Sequence, residues 1–239
     1  MKLAVADAML DLLLPRVCVA CDALCGSTDD LVCDACWVRL PRFAHPQCDR
    51  CGHPTGAYAC PFCPLLPPFV RAVRSVCWLP HPTSSAIVHA LKYAGWERVA
   101  EGIATRLARL TWPADVVAER TAIVPIPLAR VRERERGFNQ SERIARALAP
   151  RWRVPVWPDI LARTRATATQ TRLTPSERSA NVHRVFAVAP DARERLRGAH
   201  VVLLDDVITT AATMNAAATA LFEGGVRTVS YVTFGRART

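Results

Sequence analysis

The sequence predicts an α/β fold: a parallel sheet flanked by helices, with a small cysteine-rich module on its N-terminal side. Three observations predict it. Apolar runs of strand length alternate with helix-compatible segments from Ala72 to Val232, the pattern that builds parallel sheets. One run, Val201 to Leu204, is apolar at every position, as a strand buried on both faces must be, and it ends in the carboxylates of Asp205 and Asp206. Eight of the ten cysteines stand as four Cys-x-x-Cys pairs between Cys18 and Cys63.

Size and charge bound the rest. The chain has 239 residues and is 51% hydrophobic, enough for one large domain or two smaller ones with a real core. Its formal net charge is +10, carried almost wholly by arginine, since Lys2 and Lys92 are the only lysines. Arginine suits bidentate phosphate contacts, so the balance fits a polyanion-binding face as well as a plain solvated surface. The run from Leu3 to Leu14 is apolar but interrupted by Asp7 and Asp11, which a signal-peptide core would not tolerate. It reads as a short amphipathic helix stopped at Pro15. No stretch reaches the length of a membrane span.

The cysteine module comes first. Cys18/Cys21 with Cys33/Cys36, and Cys48/Cys51 with Cys60/Cys63, can each close a tetrahedral Cys₄ zinc site, because each knuckle sets two thiolates on one side of a tight turn. Crossed pairing, first with third and second with fourth, fits the spacing too. Cys25 is a spare thiol or a substitute ligand, Cys77 a core residue, and His45 and His53 stand near enough to substitute. So small a module has little core of its own, so two structural zinc ions would supply much of its folding energy. Paired knuckles point to a reducing compartment, hence a cytoplasmic location. Pro61, Pro64, Pro67 and Pro68 mark the exit, dividing the chain at residues 1–66 and 67–239.

Beyond it, Ala72 to Leu79 reads as a strand, and Thr83 to Tyr93 and Glu97 to Leu110 as helices broken at Gly95. Thr121 to Pro125 is a strand, Arg130 to Arg136 a charged loop, and Gly137 a turn into an arginine-alanine helix ending near Ala149. Ile160-Leu161 and Arg184 to Val188 are short strands around a long polar loop, Arg163 to Asn181, a candidate lid; the loop after Leu161, like Pro125 and Asp205, is expected at the carboxyl end of a sheet strand, where ligands sit. Val201 to Leu204 and Val226 to Val232 complete the sheet, with a helix from Met214 to Phe222 between them.

The chemistry concentrates in Asp205-Asp206-Val207-Ile208-Thr209-Thr210-Ala211-Ala212-Thr213. Strand, short polar loop and helix start are the geometry of a phosphate site: free N–H groups and the helix dipole face the anion. Thr209, Thr210 and Thr213 add hydroxyls. Two adjacent carboxylates repel phosphate but accept hydrogen bonds from a diol, so a phosphorylated sugar fits. This stretch resembles the phosphoribosyl-pyrophosphate (PRPP) motif of type I phosphoribosyltransferases. There the acidic pair holds the ribose hydroxyls and the loop wraps the 5′-phosphate. Those enzymes usually carry glycine where Ala211 stands. If that position needs φ > 0, alanine costs about 1 kcal/mol or more.

Four stretches together resemble the ComF/GntX family of phosphoribosyltransferase-like proteins: the paired knuckles, Leu91-Lys92-Tyr93-Ala94-Gly95, Val124-Pro125-Ile126-Pro127 through Arg136-Gly137-Phe138-Asn139-Gln140, and Leu203 through Thr213. Gln170, Arg178 and Asn181 also match. The resemblance implies a type I phosphoribosyltransferase-like sheet carrying a double zinc ribbon, Mg²⁺-PRPP as ligand, and an association with natural transformation and DNA use. Arg136 and Gly137 would hold the pyrophosphate, while Lys92 either reaches a phosphate or lies along apolar surface with its ammonium in solvent.

Two functions follow. One is a transferase of unassigned catalytic residues and acceptor, in which a nitrogen nucleophile displaces pyrophosphate at C1. Hypoxanthine-guanine relatives carry an acidic residue where Thr209 stands, which disfavours that acceptor class. The other is a non-catalytic PRPP sensor, or a protein that binds single-stranded DNA through its basic face and serves DNA-uptake machinery.

Overall fold

The computed structural model describes residues 16–25, 31–56, 60, 62–93, 98–164 and 185–238. The expected N-terminal helix and the Arg163 to Asn181 lid, apart from Arg163 and Thr164, lie outside the described residues.

Helix α1 (Asp34–Val38) and a 3₁₀ turn (Cys63–Leu65) belong to the cysteine module. There follow β1 (Val70–Leu79), α2 (Pro82–Tyr93), α3 (Val99–Ala108), α4 (Ala114–Glu119), β2 (Arg120–Pro125), α5 (Arg130–Arg136) and α6 (Gln140–Trp152). The chain continues through β3 (Leu161–Arg163), β4 (Phe186–Val188), α7 (Arg193–Leu196), β5 (His200–Ile208), α8 (Ala212–Glu223) and β6 (Thr228–Ala237). The main sheet has four strands in the order β1-β6-β5-β2, every pair parallel. That is the expected parallel sheet.

Side chains along β5 alternate between two cores. Val202 and Leu204 pack with Ile87, Ile103, Ile144 and Leu148 of the helices on one face. Val201 and Leu203 pack with Met214, Ala217 and Leu221 of α8 on the other. Both faces are covered, which is why the strand reads as a continuous apolar run.

The cysteine module closes the β1 edge. The Val73 and Trp78 N–H groups donate to the carbonyls of Arg50 (2.7 Å) and Pro41 (2.8 Å), so strand donors that would face solvent are satisfied by the module. Cys36 and Trp37 enter the first core, with Trp37 edge-on to Phe234 at 6.3 Å, and Cys51 and Phe62 enter the second. The module therefore straddles the sheet edge, one knuckle pair on each face. Arg236, at the end of β6, is buried beneath it and donates to the Cys51 carbonyl at 2.8 Å.

Three expectations are corrected. The apolar run does not stop at the acidic pair: β5 continues to Ile208 and carries Asp205 and Asp206 as strand residues. Arg130 to Arg136 is a helix, ended by Gly137 at φ 79°, and not a loop; alternating arginine and glutamate side chains can all reach solvent from a short exposed helix. Arg136 therefore closes a helix instead of following a strand. The strands near Ile160 and Val188 form a separate antiparallel pair, so the segment after Leu161 is not at a carboxyl end of the main sheet. Helices α1, α4 and α7 were not foreseen.

Candidate functional site

Asp205 and Asp206 stand near the carboxyl end of β5, the ligand end of an open α/β sheet. Helix α6 is aimed at them. Its N-cap, Asn139, accepts from the Ser141 N–H at 3.0 Å and donates to the Ile126 carbonyl at 3.0 Å, which pins the helix start beside the end of β2. The next two side chains then reach the acidic pair. The Ser141 hydroxyl donates to Asp205 Oδ1 at 2.8 Å, and Gln140 Nε2 approaches Asp206 Oδ1 at 3.4 Å.

Lys92, from the last turn of α2, completes the set with its Nζ 2.5 Å from Asp206 Oδ2. Of the two readings of Lys92, snorkelling or reaching a charge, the geometry chooses a charge, and the charge is a carboxylate. Asp206 is 4% exposed. Burial, followed by the neighbouring Asp206 charge, pushes the Asp205 carboxyl well above the usual carboxylate range, against the hydrogen bond from Ser141. Arg136 donates to Gln140 Oε1 at 3.0 Å and to the Tyr93 hydroxyl at 3.2 Å, and its guanidinium lies 4.9 Å over the Tyr93 ring. Lys92, Gln140, Ser141 and Arg136 thus form one polar network around the pair. Ser141 carried no signal as a ligand; the Asn139 cap ahead of it was the available clue.

The loop after β5 turns through Ala211, which caps α8 with φ 63° and ψ 1°, the left-handed conformation usually left to glycine. Its methyl is buried against the α8 core. Thr209, Thr210 and Thr213 are exposed around the helix start, and the Ala212 N–H makes a 3.5 Å contact with the Thr210 hydroxyl. First-turn N–H groups of a helix lack intrahelical acceptors, so this exposed end offers donors to an anion.

The eight paired cysteines form two clusters, Cys18/Cys21/Cys33/Cys36 and Cys48/Cys51/Cys60/Cys63, with ligand atoms within 4.8 Å of one another. Zn–S bonds of ~2.3 Å arranged as a tetrahedron separate sulfurs by about 3.8 Å. The Sγ–Sγ distances are 3.7 Å for Cys21–Cys33, 3.6 Å for Cys48–Cys63 and 3.0 Å for Cys51–Cys60. The sets fit zinc, and they are sequential, which removes the crossed pairing. The Cys33 N–H approaches Cys18 Sγ at 3.3 Å. His53 is no ligand: its Nδ1 lies 3.1 Å from Arg236, and burial, then that guanidinium, pushes its pKa down to about 4. Cys77 is buried in the core as expected.

A sheet of this kind carrying paired Cys₄ clusters defines a phosphoribosyltransferase-type domain joined to a zinc ribbon. Two family matches agree: "Double zinc ribbon domain" over residues 9–66 and "Phosphoribosyl transferase domain" over residues 116–238. Among curated relatives, the DNA utilization protein YhgH of Salmonella typhi is 33% identical over 91% of this chain and 96% of its own length. Competence protein F of Haemophilus influenzae is 28% identical over 92% and 96%, and competence protein ComFC of Bacillus subtilis 27% identical over 82% and 80%. The chain belongs to the ComF family. A solved glutamine PRPP amidotransferase from B. subtilis aligns at 19% identity and a TM-score of 0.40, over 56% of this chain and 25% of its own. No helix among the described residues is long and apolar enough to cross a membrane.

Proposed function

We propose that this protein binds Mg²⁺-PRPP at the carboxyl end of β5 and transfers its phosphoribosyl group to a nitrogen nucleophile. The carrying observation is the convergence of the Asp205–Asp206 pair with the α8 N-terminus across a loop already in the left-handed turn at Ala211. The ribose diol would hydrogen-bond to the two carboxylates. The 5′-phosphate would sit against Thr209, Thr210, Thr213 and the local N–H groups, with Val207, Ile208 and Ala212 as backbone of the same cradle. Arg136, beside Gly137, would turn from Tyr93 to the pyrophosphate, and Lys92 would follow it as the diol displaces it from Asp206. Catalysis would come from positioning and from stabilising charge on the leaving pyrophosphate.

Calorimetry with PRPP, with and without Mg²⁺, tests the binding; pyrophosphate release over a panel of nitrogen acceptors tests the transfer. Asp205→Asn with Asp206→Asn removes the charged acceptors, each hydrogen bond worth about 1.5–3 kcal/mol, and should weaken binding at least tenfold. PRPP affinity unchanged in that double variant would sink the assignment.

A second reading, a PRPP-responsive protein that acts on single-stranded DNA, is favoured by the net charge of +10 and by relatives named for DNA utilization and competence. On either reading the protein works in a reducing, cytoplasmic setting, consistent with its thiolate clusters.

A further inference from the structure

Beside the acidic pair lies a cavity of about 410 Å³, where the carboxyl ends of β1, β5 and β6 meet α2. Leu79, Val207 and Ala237 line it from the three strands, Ser85, Val88 and His89 from the helix. We propose that this cavity is the acceptor site, and that it takes a neutral, largely apolar heteroaromatic amine whose ring nitrogen is the nucleophile. The inference rests on the PRPP reading above.

Continuity with the ligand site supports it. Thr209 of the phosphate loop also lines the cavity, and so does Lys92, whose ammonium is on Asp206. An occupant would therefore abut a ribose held by the pair. The volume lies in the range of small-molecule sites.

The lining sets the chemical class. Among the described residues no carboxylate lines the cavity, and its one lysine serves Asp206 in the free protein and the pyrophosphate once PRPP is bound. An ionised acceptor would lose hydration with no counter-charge in return. Few other polar side-chain groups are offered: the Ser85, Thr209 and Tyr93 hydroxyls and the His89 imidazole. A purine buries more donors and acceptors than these satisfy, and each one left over is costly. The His89 and Tyr93 rings, 5.1 Å apart, supply an aromatic wall for a flat ring. In the transfer, the ring-nitrogen lone pair forms the bond to C1 as the C1–O bond breaks. That bonding pair leaves with pyrophosphate, and where the ring's other nitrogen carries a proton, that proton passes to water.

The test uses the full chain with benzimidazole as probe, and hypoxanthine and orotate as polar and anionic comparators. Each is titrated with and without Mg²⁺-PRPP, and PRPP is titrated separately. Benzimidazole should bind at least tenfold more tightly than either comparator. Ser85→Phe and Ala237→Phe, which fill the cavity from α2 and from β6, should weaken it at least tenfold while PRPP affinity stays within twofold. Having two fillers keeps the test decisive if one fails to fold. Benzimidazole that does not bind, or binds both fillers as tightly as the native chain, overturns the acceptor site while a positive PRPP titration leaves the parent reading standing. If PRPP itself does not bind, that titration shows the parent reading to be at fault, and the acceptor assignment falls with it.

Discussion

Lys92 Nζ lies 2.5 Å from Asp206 Oδ2, joining the end of α2 to the ligand end of β5. Asp206 is buried and Lys92 partly so, which makes the pair costly to break. Lys92→Met should lower stability by about 2 kcal/mol, the fully buried figure discounted for the partial exposure of the lysine. Adding Asp206→Asn should recover most of that loss. Denaturant unfolding of the two singles and the double gives the coupling, and an additive double would show that the ion pair carries no weight.

Asp205 has the opposite character. Its carboxyl titrates above the usual range because it is buried beside a second carboxylate. The folded state therefore holds the proton more tightly than the unfolded chain, so stability falls as pH rises from the ordinary carboxylate pKa through the raised one. Asp205→Asn should raise Tm at neutral pH and flatten this acid-side dependence. Calorimetric melting across pH 4 to 8 checks the sign, and a lower Tm at pH 7 would contradict it.

For Ala211, three effects nearly cancel in stability. Glycine would relieve about 1–2 kcal/mol of left-handed strain. It would also remove a buried methyl, worth about 0.8 kcal/mol, and add about 0.4–1 kcal/mol of unfolded-chain entropy. Ala211→Gly should leave stability within about 1 kcal/mol of the native chain. PRPP affinity should change little, because the loop already adopts the turn at φ 63°. A tenfold gain in affinity would mean that alanine holds the loop away from its binding shape.

Zinc is measured directly. Elemental analysis of protein purified without chelator should find two zinc ions per chain, one per cluster. Cys51→Ser should remove one ion and loosen the β1 edge, since its cluster enters the core on the α8 face. Less than one zinc per chain, with every thiol titratable in the folded state, would defeat this.

Single-stranded DNA should bind weakly and without sequence preference, with affinity falling steeply as salt rises, because a charge of +10 acts through counterion release. Fluorescence anisotropy at a series of salt concentrations measures the slope. A flat slope would assign the arginines to ordinary surface.

The sequence by itself determined the strand-and-helix alternation, the zinc knuckles and the position of the acidic pair, because each is written in local signals: apolar runs, Cys-x-x-Cys spacing and adjacent carboxylates. Spacing alone left the zinc pairing open, and only the fold brought the sequential sets together. It also could not show that β5 runs on through Asp205 and Asp206, since a polar residue inside a strand looks like its end until partners are known. Those partners, Ser141, Gln140 and Lys92, stand 64 to 114 positions away along the chain on α6 and α2, and packing alone brings them to the pair. The cavity that supports the acceptor proposal has the same origin. Its walls come from three strands and a helix that no local pattern joins, so its shape and chemistry exist only once the sheet order β1-β6-β5-β2 has formed.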